Sequence, residues 1–252
     1  MIVIDPLRYQ PPADLLTGRV ILVTGASRGL GHAVALACAR HGATVVLNAR
    51  NLARLEAAYD EIVRAGLAEP ALLPLDLDTA GWREYAHAAS LIEKQLGRLD
   101  GIAHCASHLE KLSALETQSI DEWQRMLRVN LIAPFAINQV CSRLLRESPD
   151  ASVVVTSETH ASAPAAFWGG YAVSKAGLET LARIQSDEWS GAENLRINTV
   201  VPGPINSPLR GKTHPGENAD ALPSPGKLAP LYLYLLGSDS RGINGRTFYA
   251  QP

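Results

Sequence analysis

Tyr171 and Lys175 stand four residues apart in Gly170-Tyr171-Ala172-Val173-Ser174-Lys175, downstream of a glycine-rich turn, Thr24-Gly25-Ala26-Ser27-Arg28-Gly29-Leu30-Gly31. On a helix over residues 170–189 the two side chains fall one turn apart on one face, so the ammonium can sit beside the phenol. A free phenol titrates near about 10, and a neighbouring positive charge favours the phenolate, which makes Tyr171 a candidate acid and base near working pH. The turn offers a second chemistry. Gly25, Gly29 and Gly31, between a strand and a helix, let the backbone bend tightly and approach a pyrophosphate at the helix N-terminus, with Ser27, Arg28 and Leu30 beside it. A phosphate cradle together with a proton donor points to hydride chemistry. The alternatives are an ordinary amphipathic tyrosine at a helix start and a turn that is only rich in glycine.

These residues need a frame that brings them together. Residues 20–24 read as a buried strand, followed by a helix over 28–41 with Leu30, Val34, Ala37, Cys38 and His41 at helical spacing and Gly42 closing it. Strands at 44–49, 71–75, 99–105, 152–157 and 196–201 alternate with helices at 52–64, 81–96, 120–146 and 170–189. Each parallel connection needs a crossover, so the alternation predicts an α/β fold, a doubly wound Rossmann-type parallel sheet of about seven strands with helices on both faces. Its ligands belong at the carboxyl ends of the strands, where the candidate residues fall. Residues 1–18, with Pro6, Pro11, Pro12 and Gly18, suit an extended N-terminal arm outside the core, leaving 19–252 as the domain. Residues 206–226 carry Pro208, Pro215, Pro223 and Pro225 and three glycines. This is too long for an ordinary connection and predicts a mobile substrate lid, with an inert surface loop as the alternative.

Composition sets the bounds. A chain of 252 residues with 46% apolar content can bury the core of one domain. With 23 basic and 25 acidic residues the net charge is −2, which gives no polyanion-binding signature, and no basic run appears at either end, so nucleic acid is not expected as a partner. Cys38, Cys105 and Cys141 are widely spaced, which disfavours a disulfide framework or zinc site and suits a reducing compartment. No run approaches about 18 uninterrupted apolar residues, and the acidic start at Met1 to Asp5 does not suit a signal peptide, so a cytoplasmic protein without membrane partners is expected.

The order and spacing of these motifs resemble the short-chain dehydrogenase/reductase family from about Tyr9 to Pro252. Thr24 to Gly31 matches its TGxxxGxG turn, Asn130 in Val129-Asn130-Leu131 its helix asparagine, and Pro202-Gly203 the loop after its sixth strand. Tyr9-Gln10-Pro11, Asp14-Leu15-Leu16, Pro230-Leu231-Tyr232-Leu233 and the ending Thr247 to Pro252 look most like the YciK-type oxidoreductases. The resemblance implies a reductase or dehydrogenase acting on a small carbonyl or alcohol, and a homodimer or homotetramer formed through the helices at 120–146 and 170–189. By the same resemblance Tyr171 exchanges the proton, Lys175 tunes it and holds ribose hydroxyls, and Asn130 anchors a water that links Lys175 to solvent.

The resemblance also assigns cofactor contacts. Ala49 stands where NAD-preferring members carry an aspartate for the ribose hydroxyls, and Arg50 follows it. A guanidinium suits a 2′-phosphate, and Arg28 can reach the same group, so NADP(H) is favoured over NAD(H); the alternative is that either arginine is simply solvated. Asp76-Leu77 resembles the adenine-contacting pair, with Asp76 as a helix N-cap the alternative. Cys105 and Ala106 follow the fourth strand beside the cofactor, and Pro202, Gly203, Ile205 and Ser207 occupy the nicotinamide-contacting stretch.

Two departures bear on catalysis. The family places a serine thirteen residues before the tyrosine to hold the substrate oxygen, and here that residue is Glu158, flanked by Ser157 and Thr159. Glu158 either donates as a protonated acid, turns away toward His160, or marks a catalytically impaired nucleotide-binding protein of the same fold; Ser157 or Thr159 substitutes only if the strand bends. The second departure is Ala103-His104-Cys105-Ala106-Ser107, where the family usually reads Asn-Asn-Ala-Gly. Cys105 replaces the asparagine that ties neighbouring strands and Ser107 the glycine that allows close cofactor approach. His104 and His108 straddle a strand end with no third ligand evident, and no metal is expected.

Overall fold

Residues 20–24, 151–156 and 195–201 are buried at every position and mostly apolar, as strands covered on both faces must be. The computed structural model describes residues 2–3 and 8–251. Its strands are β1 (Ile2–Val3), β2 (Val20–Thr24), β3 (Thr44–Ala49), β4 (Ala71–Pro74), β5 (Gly101–His104), β6 (Ala151–Thr156), β7 (Leu195–Val201) and β8 (Thr247–Tyr249). All pair in parallel, in the order β1-β8-β7-β6-β5-β2-β3-β4. The expected seven-stranded sheet is thus present, extended at one edge by the two-residue β1. The chain order reverses between β2 and β5, which opens a crevice at their carboxyl ends.

The helices are α1 (Gly29–Arg40), α2 (Leu52–Arg64), α3 (Trp82–Leu96), α4 (Ile120–Leu127), α5 (Ala133–Glu147), α6 (Thr159–Ser162), α7 (Gly169–Glu188), α8 (Pro208–Thr213) and α9 (Ala229–Leu236). On one face of the sheet Val34 and Cys38 of α1, Leu55 and Ile62 of α2 and Leu231 and Leu235 of α9 share a core. On the other, Tyr85 and Ile92 of α3, Ile137 and Leu144 of α5 and Leu178 and Ala182 of α7 do the same. Leu16 is fully buried in the first core, so this part of the proposed arm belongs to the domain's packing; residues 1 and 4–7 lie outside the described residues.

The helix predicted over 120–146 is two helices. Between α4 and α5 the residues Arg128–Ile132 form a wider, π-type turn. Pro134 supplies the reason: it has no N–H for the carbonyl of Asn130, four residues back, and its ring would strike that carbonyl in a regular helix. The segment 206–226 is structured too. Ser207 caps α8, Asn206 donates to the carbonyl of Pro223, and Arg210 grips Glu217 through both carboxylate oxygens at 2.5 and 2.7 Å. Among the described residues no helix is long and apolar enough to cross a membrane.

Candidate functional site

A cleft of about 720 Å³ opens at the carboxyl ends of the strands, where the sheet reverses order. Every residue assigned above to cofactor or catalysis lines it except Asn130. Its floor on the α1 side is the glycine turn. Gly25 has φ +68, and a Cβ there would sit 2.9 Å from the Cα of Ala106, while a Cβ on Gly31 would run into the carbonyl oxygen of Gly25. Only missing side chains allow this packing. Thr24 Oγ1 accepts the N–H groups of both Cys105 and Ala106 at 3.1 Å, so it ties β2 to the loop after β5. The first turn of α1 lines the cleft and has no side-chain cap and no acidic residue, an arrangement that suits an anion. Arg28 and Arg50 are exposed at the rim.

Asp76 faces the cleft but spends one oxygen on the N–H of Asp78, at 3.1 Å. The N-cap alternative does not hold for it: α3 begins later, capped by Gly81 and Glu84. On the far wall Pro202 and Pro204 present carbonyls to the amide of Gln251, at 2.7 and 2.8 Å, and Gly203 has φ +69 against that side chain. Sequence reasoning quoted Gln251 in a motif without giving it this bracing role.

Tyr171 and Lys175 lie on α7, whose start is pinned by Gln118 accepting the Gly170 N–H. Both are buried, at 3% and 1% exposure, yet both line the cleft. Lys175 Nζ donates to the carbonyl of Thr156 at 2.7 Å and lies 5.8 Å from the centre of the Tyr171 ring. Burial pushes Lys175 down to about 8, opposed by the charge of Glu158. Tyr171 departs from the expectation of a lowered pKa. Burial drives it well above the usual phenol value, Glu158 adds to that, and the hydrogen bond with Ser107 works against it. Low dielectric around the ring disfavours the phenolate, so the group resides as the protonated acid.

The residues around the strand end sort themselves by their bonds. Ser157 turns out of the chemistry: its hydroxyl donates to Glu179 on α7 at 2.6 Å, so it is not free to hold a substrate oxygen. Glu158 accepts the N–H of His160 at 3.1 Å and so caps α6, while its charge reaches Tyr171 and Lys175. Asn130 is fully buried. Its amide donates to the carbonyl of His108 and the hydroxyl of Ser174, both at 2.9 Å, and its oxygen accepts the His108 N–H at 2.8 Å. The side chain of Asn130 thus ties the loop after β5 to Ser174 on α7.

That loop carries the feature which sequence reasoning missed. Ser107 Oγ lies 3.1 Å from Tyr171 Oη. The two histidines flanking it point elsewhere: His104 is buried on Asn138 at 2.8 Å and pushed down to about 4 by burial, and His108 pairs with Glu110. Cys105, pushed up to about 12 by burial, is a packing thiol beside Thr156 rather than a nucleophile.

The electrostatics of Glu158 can be tested directly. Glu158→Gln keeps an oxygen to cap α6 but removes the negative charge that raises Lys175. The Lys175 midpoint should therefore fall below about 8, by about one unit, at the low end for an opposite charge nearby. Carbon-13 NMR of the lysine Cε resonances, assigned with Lys175→Arg, measures it; an unmoved or raised midpoint rules the coupling out.

Residues 19–218 match the model of the family described as short chain dehydrogenase. Among curated proteins, the chain is 37% identical over 246 residues to the uncharacterized oxidoreductase YciK of Escherichia coli strain K12, covering 98% of this chain and 97% of that one. Among solved structures it superposes on a candidate short chain dehydrogenase from Pseudomonas syringae with a TM-score of 0.94, at 40% identity over 96% of this chain and 98% of the other. A candidate short chain dehydrogenase from Shigella flexneri 2a str. 301, solved in complex with NADP, gives a TM-score of 0.92 at 37% identity over 96% and 100% of the two chains.

Proposed function

The chain belongs to the short chain dehydrogenase family and is an oxidoreductase of it, and we propose that it moves hydride between NADP(H) and a small carbonyl or alcohol, with Tyr171 exchanging the proton. The observation that carries this reading is the convergence of the glycine turn, Lys175 and the protonated Tyr171 on one cleft. The cradle fits a dinucleotide: glycine faces that a Cβ would block, an uncapped helix N-terminus for the pyrophosphate, and Lys175 for ribose hydroxyls. When bound, the nicotinamide supplies or takes the hydride. The residues do the rest. Tyr171 gives its Oη proton to the oxygen of a carbonyl being reduced, and the low dielectric around it strengthens every hydrogen bond that holds that oxygen.

NADP(H) over NAD(H) is supported by Ala49, which places no carboxylate against a 2′-phosphate, and by Arg28 and Arg50 exposed at the rim; the Shigella protein bound to NADP points the same way. The structured segment 206–226, which lines the cleft through Ser207, Leu209 and His214, supports a lid that closes over substrate. Assembly through α5 and α7 is supported by Ile132 and Phe135 near the start of α5 and Val173 and Ile184 on α7, all about half exposed. The alternative of a catalytically impaired nucleotide binder finds no support in the relatives, which are named oxidoreductase or dehydrogenase.

Calorimetry tests the cofactor assignment. NADPH should bind more tightly than NADH, and Arg50→Ala should weaken NADPH by about tenfold, the worth of one charge-assisted bond, while leaving NADH within about twofold. Equal affinities in the parent protein would overturn the assignment.

A further inference from the structure

The site has a gap: no serine stands where the substrate oxygen needs its second donor; Thr159 lines the cleft from α6, but of the neighbouring hydroxyls it is that of Ser107 that lies within hydrogen-bond distance of Tyr171 Oη. Ser157 donates to Glu179, and Glu158 accepts the His160 N–H at its own helix end. That bond uses one carboxyl oxygen as an acceptor, and an ionised carboxylate only accepts. Ser107 is different. It is exposed, it lines the cleft, and of its hydrogen-bonding groups the hydroxyl lies 3.1 Å from Tyr171 Oη. Its position is fixed from below, because Asn130 clamps both backbone groups of His108, the next residue, and Thr24 holds the N–H of Ala106, the previous one.

Resting on the carbonyl reading above, we infer that Ser107 is the second donor of the active site, holding the substrate oxygen together with Tyr171 in the role that position 158 does not fill. The hydrogen-bond count makes this workable. Each hydroxyl has one proton, and in the free cleft one of the two donates to the other, leaving a single proton to point outward. A carbonyl oxygen has two lone pairs, so on arrival it can take both O–H groups. During reduction the carbon gains the hydride, the C=O π pair passes to the oxygen, and the Tyr171 proton transfers to that oxygen. Ser107 keeps its own proton and contributes a hydrogen bond that strengthens as negative charge grows on the oxygen. A donor at this place enters from the loop after β5 rather than from the end of β6. The exchange therefore pairs the two departures in the sequence: a carboxyl where the hydroxyl is missing, and a hydroxyl where a glycine is replaced.

The test uses the full chain and separates this claim from the reading beneath it. Acetophenone labelled with carbon-13 at the carbonyl is bound with NADP⁺, so that no reduction occurs, and its C=O stretch is recorded by difference infrared spectroscopy. In the parent protein two donors should lower the stretch relative to free ketone; Ser107→Ala should recover part of that shift, Tyr171→Phe another part, and Ser107→Thr should keep the parent value. A full parent shift in Ser107→Ala, with a reduced one in Tyr171→Phe, overturns the assignment of Ser107 alone. An unchanged stretch in Tyr171→Phe, or no bound ketone at all, overturns the carbonyl reading and this inference with it. In parallel, reduction of 9,10-phenanthrenequinone by NADPH should fall about 100-fold in kcat for Ser107→Ala, as for loss of one oxyanion donor, and recover in Ser107→Thr, with NADPH affinity within about twofold throughout. Parent-like turnover in Ser107→Ala counts against the inference.

Discussion

Tyr171→Phe should lower carbonyl reduction by about 10³-fold while NADPH affinity stays within about twofold, because general acid catalysis of this kind contributes about 10² to 10⁴. The ring and its packing remain, against Trp168 at 5.9 Å between ring centres and in the small core with Met126 and Leu109, so the fold should be kept. What is lost is the single proton that the cleft presents. The raised pKa of Tyr171 sharpens the expectation: burial and the charge of Glu158 both favour the neutral phenol, the form that can give a proton. The sign for Lys175 runs the other way. Its charge is depressed by burial, so support for a developing phenolate is present below about 8 and fades as pH rises through that value, which predicts falling activity on the alkaline side. Retention of half the parent rate in Tyr171→Phe, measured with diketone substrates, would assign the proton to another group.

The frame was legible because each of its elements carries its own period. Strand β2 is an apolar run and β6 holds one at Val153 to Val155, α2 and α3 show their buried stripes, and the glycine turn sits where a strand meets a helix, so order and spacing alone placed Tyr171, Lys175 and Gly25 at one end of one sheet. Helix α9 was not legible for the opposite reason: Ala229–Leu236 is apolar all round and shows no face, as a fully buried helix does not. The finer chemistry depends on contacts between distant residues. Ser107 meets Tyr171 across 64 positions, Gln251 braces Pro202 across 49, and Asn130 reaches His108 from another element, none of which local pattern can encode. Tyr171 was misjudged in sign because helical spacing shows the ammonium beside it but not the burial around it, and here burial decides.

Asp150→Ala should destabilise the protein by about 3 to 5 kcal/mol in urea unfolding, the loss expected when one partner of a buried charged cluster is removed. Asp150 is 4% exposed just before β6 and takes hydrogen bonds from Arg19 at 2.7 Å and from Arg196, with Arg241 at 3.3 Å. Without it the 3%-exposed Arg196 keeps its charge in a buried place with only Ser240 and the Gly237 carbonyl for company. Against a total stability of about 5 to 15 kcal/mol this is a large share. Burial alone would raise the Asp150 carboxyl, but the guanidinium groups hold it below its usual value. A depressed folded pKa means that the stabilisation is fully present above the unfolded value near about 3.9 and is lost as pH falls through the folded one. The parent should therefore lose stability steeply in acid, and Asp150→Ala, having no such carboxyl, should show a shallower slope there; parallel slopes would show that the cluster is not what acid disrupts. The cluster lies at the amino ends of β2, β6 and β7, opposite the cleft, about 20 Å away along a six-residue strand. Turnover per folded molecule should accordingly stay within about twofold of the parent, so that one end of the sheet is altered in stability while the chemistry at the other end is unchanged.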